Sequence, residues 1–109
     1  MARNPRYDHR TTVVHFGFSE KEQVEELKDL SALVSANPYY TVALADKRSK
    51  SGVGPKRSNE IVRVGDAVKE GISISLHSDM PMAPAQPLFL MWSAVNCTTP
   101  SGRVQPLKK

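Results

Sequence analysis

Ile72-Ser73-Ile74-Ser75-Leu76-His77-Ser78-Asp79-Met80-Pro81 is the stretch on which the reading of this chain turns. A short run with β-branched residues ends in a histidine, a serine and an aspartate, and a proline-rich loop follows. In α/β folds the chemistry sits just beyond the C-terminal ends of the strands. Asp79 is therefore a candidate ligand or general base, and the competing reading is a loop aspartate capping the turn into Met80-Pro81. Ser78 has no G-x-S-x-G context and reads as a turn residue, not a nucleophile.

Working back toward the N-terminus, Thr11 to Phe16 is a second run of this type, and it carries His15 in Val13-Val14-His15-Phe16. If Val13 and His15 share one face of a strand, Val14 and Phe16 share the other. On the residues alone His15 reads first as a core histidine bonded to a backbone carbonyl, and second as a strand-end ligand. Ala32 to Ala36, closed by Asn37-Pro38, is a third strand.

Helix signals separate these runs. Ser19-x-x-Glu22 fits a capping box, and Val24, Leu27 and Leu30 give one apolar face. A second helix is expected from Ser58 or Asn59, with Ile61, Val62, Val64, Ala67 and Val68 on its buried side and Gly71 just past its end. Pro87 suits a first turn, with an apolar helix over 88–98. Residues 47–56 read as a polar loop, 80–86 as a proline-rich loop, and 39–45 are ambiguous. Gly52-Val53-Gly54 follows no clean strand and opens no helix, so it is not read as a phosphate cradle. Tyr39 and Tyr40 either line a pocket or pack. Met80, Met82, Met91 and Trp92 are expected to fill core and loop contacts, and Cys97 to be inert.

The order is thus β-α-β-loop-α-β-loop-α, which implies parallel strands with right-handed crossovers. Three parallel strands have bare edges and usually need cover on both faces. His15 and Asp79 are 64 positions apart, near two repeats of about 31 residues in a (β/α)8 barrel. One strand lies between them. Both would then stand on the same rim, two strands apart, where imidazole and carboxylate suit a shared metal.

The bulk numbers exclude other classes. A chain of 109 residues supports one small domain with a modest core. The net charge of +4 comes largely from Arg3, Arg6, Arg10, Lys47 to Lys50, Arg103, Lys108 and Lys109. These are loop and terminal charges. They form no basic stripe with interleaved aromatics, so no nucleic-acid partner is expected. Cys97 is the sole cysteine, so no intrachain disulfide forms. No apolar run reaches the roughly 18 residues of a membrane span, and Met1 to Pro5 lacks a signal-peptide core. A cytoplasmic protein with no membrane partner is the expectation.

Taken in order, the motifs resemble the amidohydrolase superfamily, and within it the amidohydrolase-3 branch, which includes N-substituted formamide deformylases. Val13-Val14-His15-Phe16 resembles the sixth barrel strand, ending in a metal-binding histidine. Val53-Gly54-Pro55-Lys56-Arg57 resembles a family Leu-Gly-Pro-Glu-Arg segment, with Lys56 in place of the acidic residue. Leu76-His77-Ser78-Asp79-Met80-Pro81 resembles the eighth-strand Ser-Asp-x-Pro signature. Pro87-Leu88-Phe89, Ala94-Val95-Asn96 and residues 98–102 resemble the helix and loop that follow. The resemblance runs from about residue 9 to about residue 104.

It implies a partial (β/α)8 TIM barrel over residues 11–98, about the last three β/α units, with an irregular lead-in over 1–10 and a polar tail over 99–109. It implies a hydrolase of amide or related C–N bonds, small amide-type substrates and a divalent metal, usually zinc. By resemblance His15 and Asp79 hold the metal and Asp79 is the catalytic acid/base. His77 and Arg57 support the site or touch substrate. No other cofactor is implied. The family's His-x-His pair, its fourth-strand bridging ligand and its fifth-strand histidine have no counterpart, and would lie upstream of Met1. The expectation is a barrel segment cut at both ends, with little or no hydrolase activity alone. The alternative is a small non-enzymatic α/β module that self-associates through exposed strand edges or binds a protein partner.

Overall fold

Thr12–His15 forms the first strand, β1, and Leu33–Ala36 forms the second, β2, laid parallel beside it with Val13 opposite Val34 and His15 opposite Ala36. Ile74–Leu76 forms β3, parallel to β2 on its other side, with Val34 opposite Ile74 and Ala36 opposite Leu76. The sheet order β1-β2-β3 places β2 in the centre. The structure, a computed structural model, describes residue 6 and residues 8–105. Most of the expected lead-in, and positions 106–109 of the tail, lie outside the described residues.

Six helices complete the described chain: α1 (Lys21–Asp29), α2 (Tyr39–Ala43), α3 (Ala45–Lys50), α4 (Gly54–Ser58), α5 (Val64–Lys69) and α6 (Pro87–Asn96). The architecture is mixed α/β around a small parallel sheet. None of these helices is long and apolar enough to cross a membrane.

Parallel register puts paired residues on the same face. The rows Val13–Val34–Ile74 and His15–Ala36–Leu76 therefore share a face. Val34 and Ala36 are buried there with Val24 of α1, Ala67 of α5, Phe16, Ile61, Val62 and Ile72, and Val13, Ile74 and Leu76 pack against this core. The opposite face carries Thr12, Val14 and Ser75, all exposed, with Val14 55% exposed. One face of the sheet is thus covered and the other is open.

Phe16 does not share a face with Val14. His15 (φ 68) and Phe16 (φ 51) are both left-handed, so the backbone turns out of the strand there and Phe16 swings into the core, 2% exposed.

Four helix expectations are corrected. The capping box of α1 lies one residue later than expected: Glu20 caps, and its N–H donates to Gln23 Oε1 at 2.9 Å. The second helix does not start at 58 or 59. Val62 (φ 52) breaks it, so Ile61 and Val62 are buried ahead of α5, while Val68 lies 61% exposed. The polar loop 47–56 is largely α3 and α4, and Gly54 does open a short helix. α6 ends at Asn96, and Cys97 (φ 49) caps it in the left-handed conformation. Gly71 (φ 72) takes its expected place past α5.

The polar stretch after α6 folds back as far as it is described. Thr98 and Val104 form an antiparallel bridge. Arg103 pairs with Asp46 at 3.2 Å and donates to Ser49 Oγ at 3.0 Å, and Gln105 Nε2 donates to the Ser58 carbonyl at 2.8 Å. Burial alone would raise the Asp46 carboxyl. Hydrogen bonds from Ser101 and Thr99 and the charge of Arg103 outweigh it and hold the group below its ordinary value.

Arg63 is the strongest buried charge. Its side chain is 5% exposed, and it donates to Asp66 at 2.8 Å, to Glu60 at 2.6 Å and to the Ser19 carbonyl at 2.7 Å. This knots the loop after β1 to the start of α5. Removing one partner of such a buried cluster leaves uncompensated charge behind. Arg63→Ala is expected to lower unfolding free energy by about 3 kcal/mol, read as a lower urea midpoint.

The Asp46 shift has a definite sign. A depressed folded-state pKa adds stability above the unfolded value, and that stability is lost as pH falls through the folded value. Stability should therefore decline as pH drops below about the ordinary 3.8 of Asp46, and Asp46→Asn should remove that part of the acid limb in urea melts taken across pH.

Candidate metal centre

The central strand fixes the main chain of both histidines. The Asn37 N–H donates to the His15 carbonyl at 2.9 Å, and the His77 N–H donates to the Ala36 carbonyl at 2.9 Å. β1 and β3 thus end at the same level on either side of β2. The imidazoles of His15 and His77 meet with centroids 5.1 Å apart and planes tilted by 52°. Asp79, two residues past His77, turns back in a left-handed conformation (φ 59). Its Oδ2 stands 4.0 Å from His15 Nδ1, too far for a hydrogen bond.

His15, His77 and Asp79 therefore converge. Each offers one ligand atom, and these atoms lie within 4.8 Å of one another. His15 Nδ1 and His77 Nε2 are buried and have no hydrogen-bond partner. Buried polar atoms are normally satisfied, and orphans call for an explanation such as an ion. Two imidazoles and a carboxylate form a donor set suited to zinc and neighbouring divalent ions. The residues present fit a metal.

His15 is no core histidine bonded to a carbonyl. Its side chain is 40% exposed, and no hydrogen bond satisfies Nδ1. Its ring stacks on Tyr40, centroids 5.9 Å apart and planes 20° from parallel. Tyr40 in turn fits against Gly17, where a Cβ would come within 2.7 Å of the tyrosine ring. Tyr39 pairs with Phe89 and donates to the Pro84 carbonyl at 3.2 Å, tying the proline-rich loop to α2. Leu76, His77, Asp79, Met80, Pro87 and Leu90 border a cleft of about 410 Å³, room enough for a small molecule.

Arg57 lies elsewhere. It pairs with Glu20 at 3.1 Å and lines a small hollow with Phe18, Ser19 and Arg63. Met80, Met82, Met91 and Trp92 do not fill the core, since they are 70%, 52%, 57% and 47% exposed. Burial pushes the Cys97 thiol up, away from a reactive thiolate. Asn37 was legible only as the end of a strand, yet it is fully buried and its Oδ1 accepts the Tyr39 N–H at 3.1 Å. Its place between two histidine-bearing strands is visible only once the register is known.

No family model matches the chain, and no curated protein matches it significantly. A solved structure described as an uncharacterized metal-dependent hydrolase from Pyrococcus horikoshii OT3 is similar in fold, with TM-score 0.63 and 20% sequence identity. The likeness covers 80% of this chain and 17% of the length of that protein.

The support beneath His15 has a measurable consequence. Gly17→Ala should displace the Tyr40 ring, cost about 1–3 kcal/mol through overpacking, and shift the His15 ring proton resonances in NMR spectra.

Proposed function

We propose that this chain is part of a metal-dependent hydrolase of the (β/α)8 barrel type, acting on amide or related C–N bonds. The observation that carries this reading is the meeting of His15, His77 and Asp79 at the C-terminal ends of parallel strands. Barrel enzymes keep their catalytic groups on that rim. Two observations support it. The sheet face with Thr12, Val14 and Ser75 is exposed, as the inward face of an isolated barrel segment would be. The fold is also similar to part of a protein described as a metal-dependent hydrolase.

In this reading His15 and Asp79 hold the ion, zinc by preference. When bound, the ion would polarise the scissile carbonyl and lower the pKa of a nearby water toward 7. Asp79 receives the proton of the attacking water and delivers it to the leaving nitrogen. Its side chain suits that traffic, being 49% exposed and at the border of the cleft. His77 lines the same cleft, within reach of substrate. Arg57, held by Glu20 on another surface, takes no part.

A second reading rests on α6. Leu88, Met91, Trp92 and Val95 follow a spacing of three, four and seven residues, and all are exposed. Such a row suits a module that associates through this helix.

Calorimetric titration with Zn²⁺ should show binding that falls at least about 10-fold in His15→Ala and in Asp79→Asn. With an N-formyl amine as substrate, the chain alone should show turnover near the buffer blank. Unchanged zinc affinity in both variants overturns the reading. A dimer that persists in both variants and dissociates in Trp92→Glu, seen by sedimentation, would favour the module.

A further inference from the structure

We infer that His77 is a direct metal ligand, and that His15, His77 and Asp79 together form a single-ion site which this chain completes without other strands. The inference deepens the hydrolase reading and rests on it for the presence of a metal, but it assigns His77 a different role.

The main-chain geometry makes the case first. The His77 N–H is bonded to the Ala36 carbonyl, so its Cα is fixed at the end of the β2–β3 ladder. The ring then meets that of His15, with centroids 5.1 Å apart. Of its polar atoms, Nε2 is buried and has no partner. A histidine meant only to touch substrate from the cleft would keep both nitrogens available to water or bonded to protein. An unpartnered nitrogen beside a second unpartnered nitrogen, on His15, is the arrangement in which two imidazoles can share one ion.

The donor count makes the case next. Two protein ligands rarely hold a catalytic ion, whereas three with one open position is the common catalytic arrangement. His15 and Asp79 alone fall short. His77 supplies the third donor from the same rim, within the 4.8 Å group. Donors on one zinc ion stand about 3–3.5 Å apart, given bonds near 2 Å. Closing that gap needs small side-chain turns, of Asp79 toward His15 among them. The Asp79 side chain is half exposed, so such a turn meets little packing.

The donor types choose the ion. Imidazole nitrogens with one carboxylate favour zinc, cobalt or ferrous iron over magnesium and calcium, which take oxygen donors. The chain should bind Zn²⁺ or Co²⁺ one to one, and millimolar Mg²⁺ should not displace them.

The test uses the full chain. Zn²⁺ titrations compare the wild type with His15→Ala, Asp79→Asn, His77→Ala and the milder His77→Gln, with circular dichroism confirming that each folds. NMR-active cadmium then replaces zinc, and through-bond coupling to ring nitrogens is read directly in the wild type. The expected result is a loss of at least about 10-fold in affinity for all four variants, with cadmium coupled to a nitrogen of His15 and to a nitrogen of His77. Coupling to His15 but not His77 overturns the inference and leaves the hydrolase reading standing. So does wild-type affinity in both His77 variants alongside losses in His15→Ala and Asp79→Asn. Unchanged affinity in every variant overturns both.

Discussion

The hydrogen-bonding register of β2 is the constraint on which the site depends. β2 pairs on both sides, and its last turn still bonds both neighbours: Asn37 reaches back to His15, and Ala36 accepts from His77. Two histidines far apart in sequence are thereby brought to within one residue of the same level. Register in a sheet with one buried face resists slipping, because a one-residue shift exchanges the buried and exposed sets. Val34 and Ala36, 1% and 0% exposed, hold that set in place. Packing beneath the sheet is what fixes the chemistry at its rim.

The rim carries backbone strain. His15, Phe16 and Asp79 all have positive φ. A left-handed residue other than glycine costs about 1–2 kcal/mol, and His and Asp tolerate it better than a bulky aromatic. Burying Phe16 returns roughly 1.5–3 kcal/mol, enough to offset its own conformation. The Val62 N–H, bonded to the Gly17 carbonyl at 3.0 Å, secures the turn from the other side. The same turn that sinks Phe16 into the core leaves His15 at the rim facing Asp79. Strain of this kind gathers at functional sites because the surrounding structure must enforce it.

What the residues announced, and what they hid, follows from the range of each interaction. The three strands were legible because Val13, Val14, Val34, Ile72 and Ile74 are β-branched in short runs, although Val14 proved exposed and only Val34 and Ile72 are buried. The single strand between His15 and Asp79 was legible from spacing. The helices α3 and α4 were not, because Lys47 to Lys56 is polar and carries Gly52, Gly54 and Pro55. Those short helices owe their place to distant partners: Arg103 on Asp46 and Ser49, and Gln105 on Ser58. The break at Val62 was equally hidden, since Ile61 and Val62 are buried whether or not they are helical. At the site, His15 and Asp79 could be singled out from strand ends. Tyr40 beneath His15 and the orphaned state of both rings depend on packing that no local pattern records. Arg63 drew no notice as one basic residue among 15 lysines and arginines, although its side chain is buried between two carboxylates.

A rim built this way links chemistry to stability. β1 and β3 are the outer strands, and among the described residues neither has a partner on its far side. Only β2 and the helices beneath hold them together. His15 stands at the end of one outer strand, and His77 and Asp79 follow the other. A ligand binding all three side chains would tie those strands to each other across β2. Binding to the folded state alone adds stability by mass action, about 2.7 kcal/mol at a hundredfold excess over Kd. For a domain of this size that is a large fraction of the few kcal/mol that separate folded from unfolded. The same three side chains would then serve as catalytic centre and as clasp. Such a clasp would sit where left-handed His15 and Asp79 and the unpartnered nitrogens of His15 and His77 already meet.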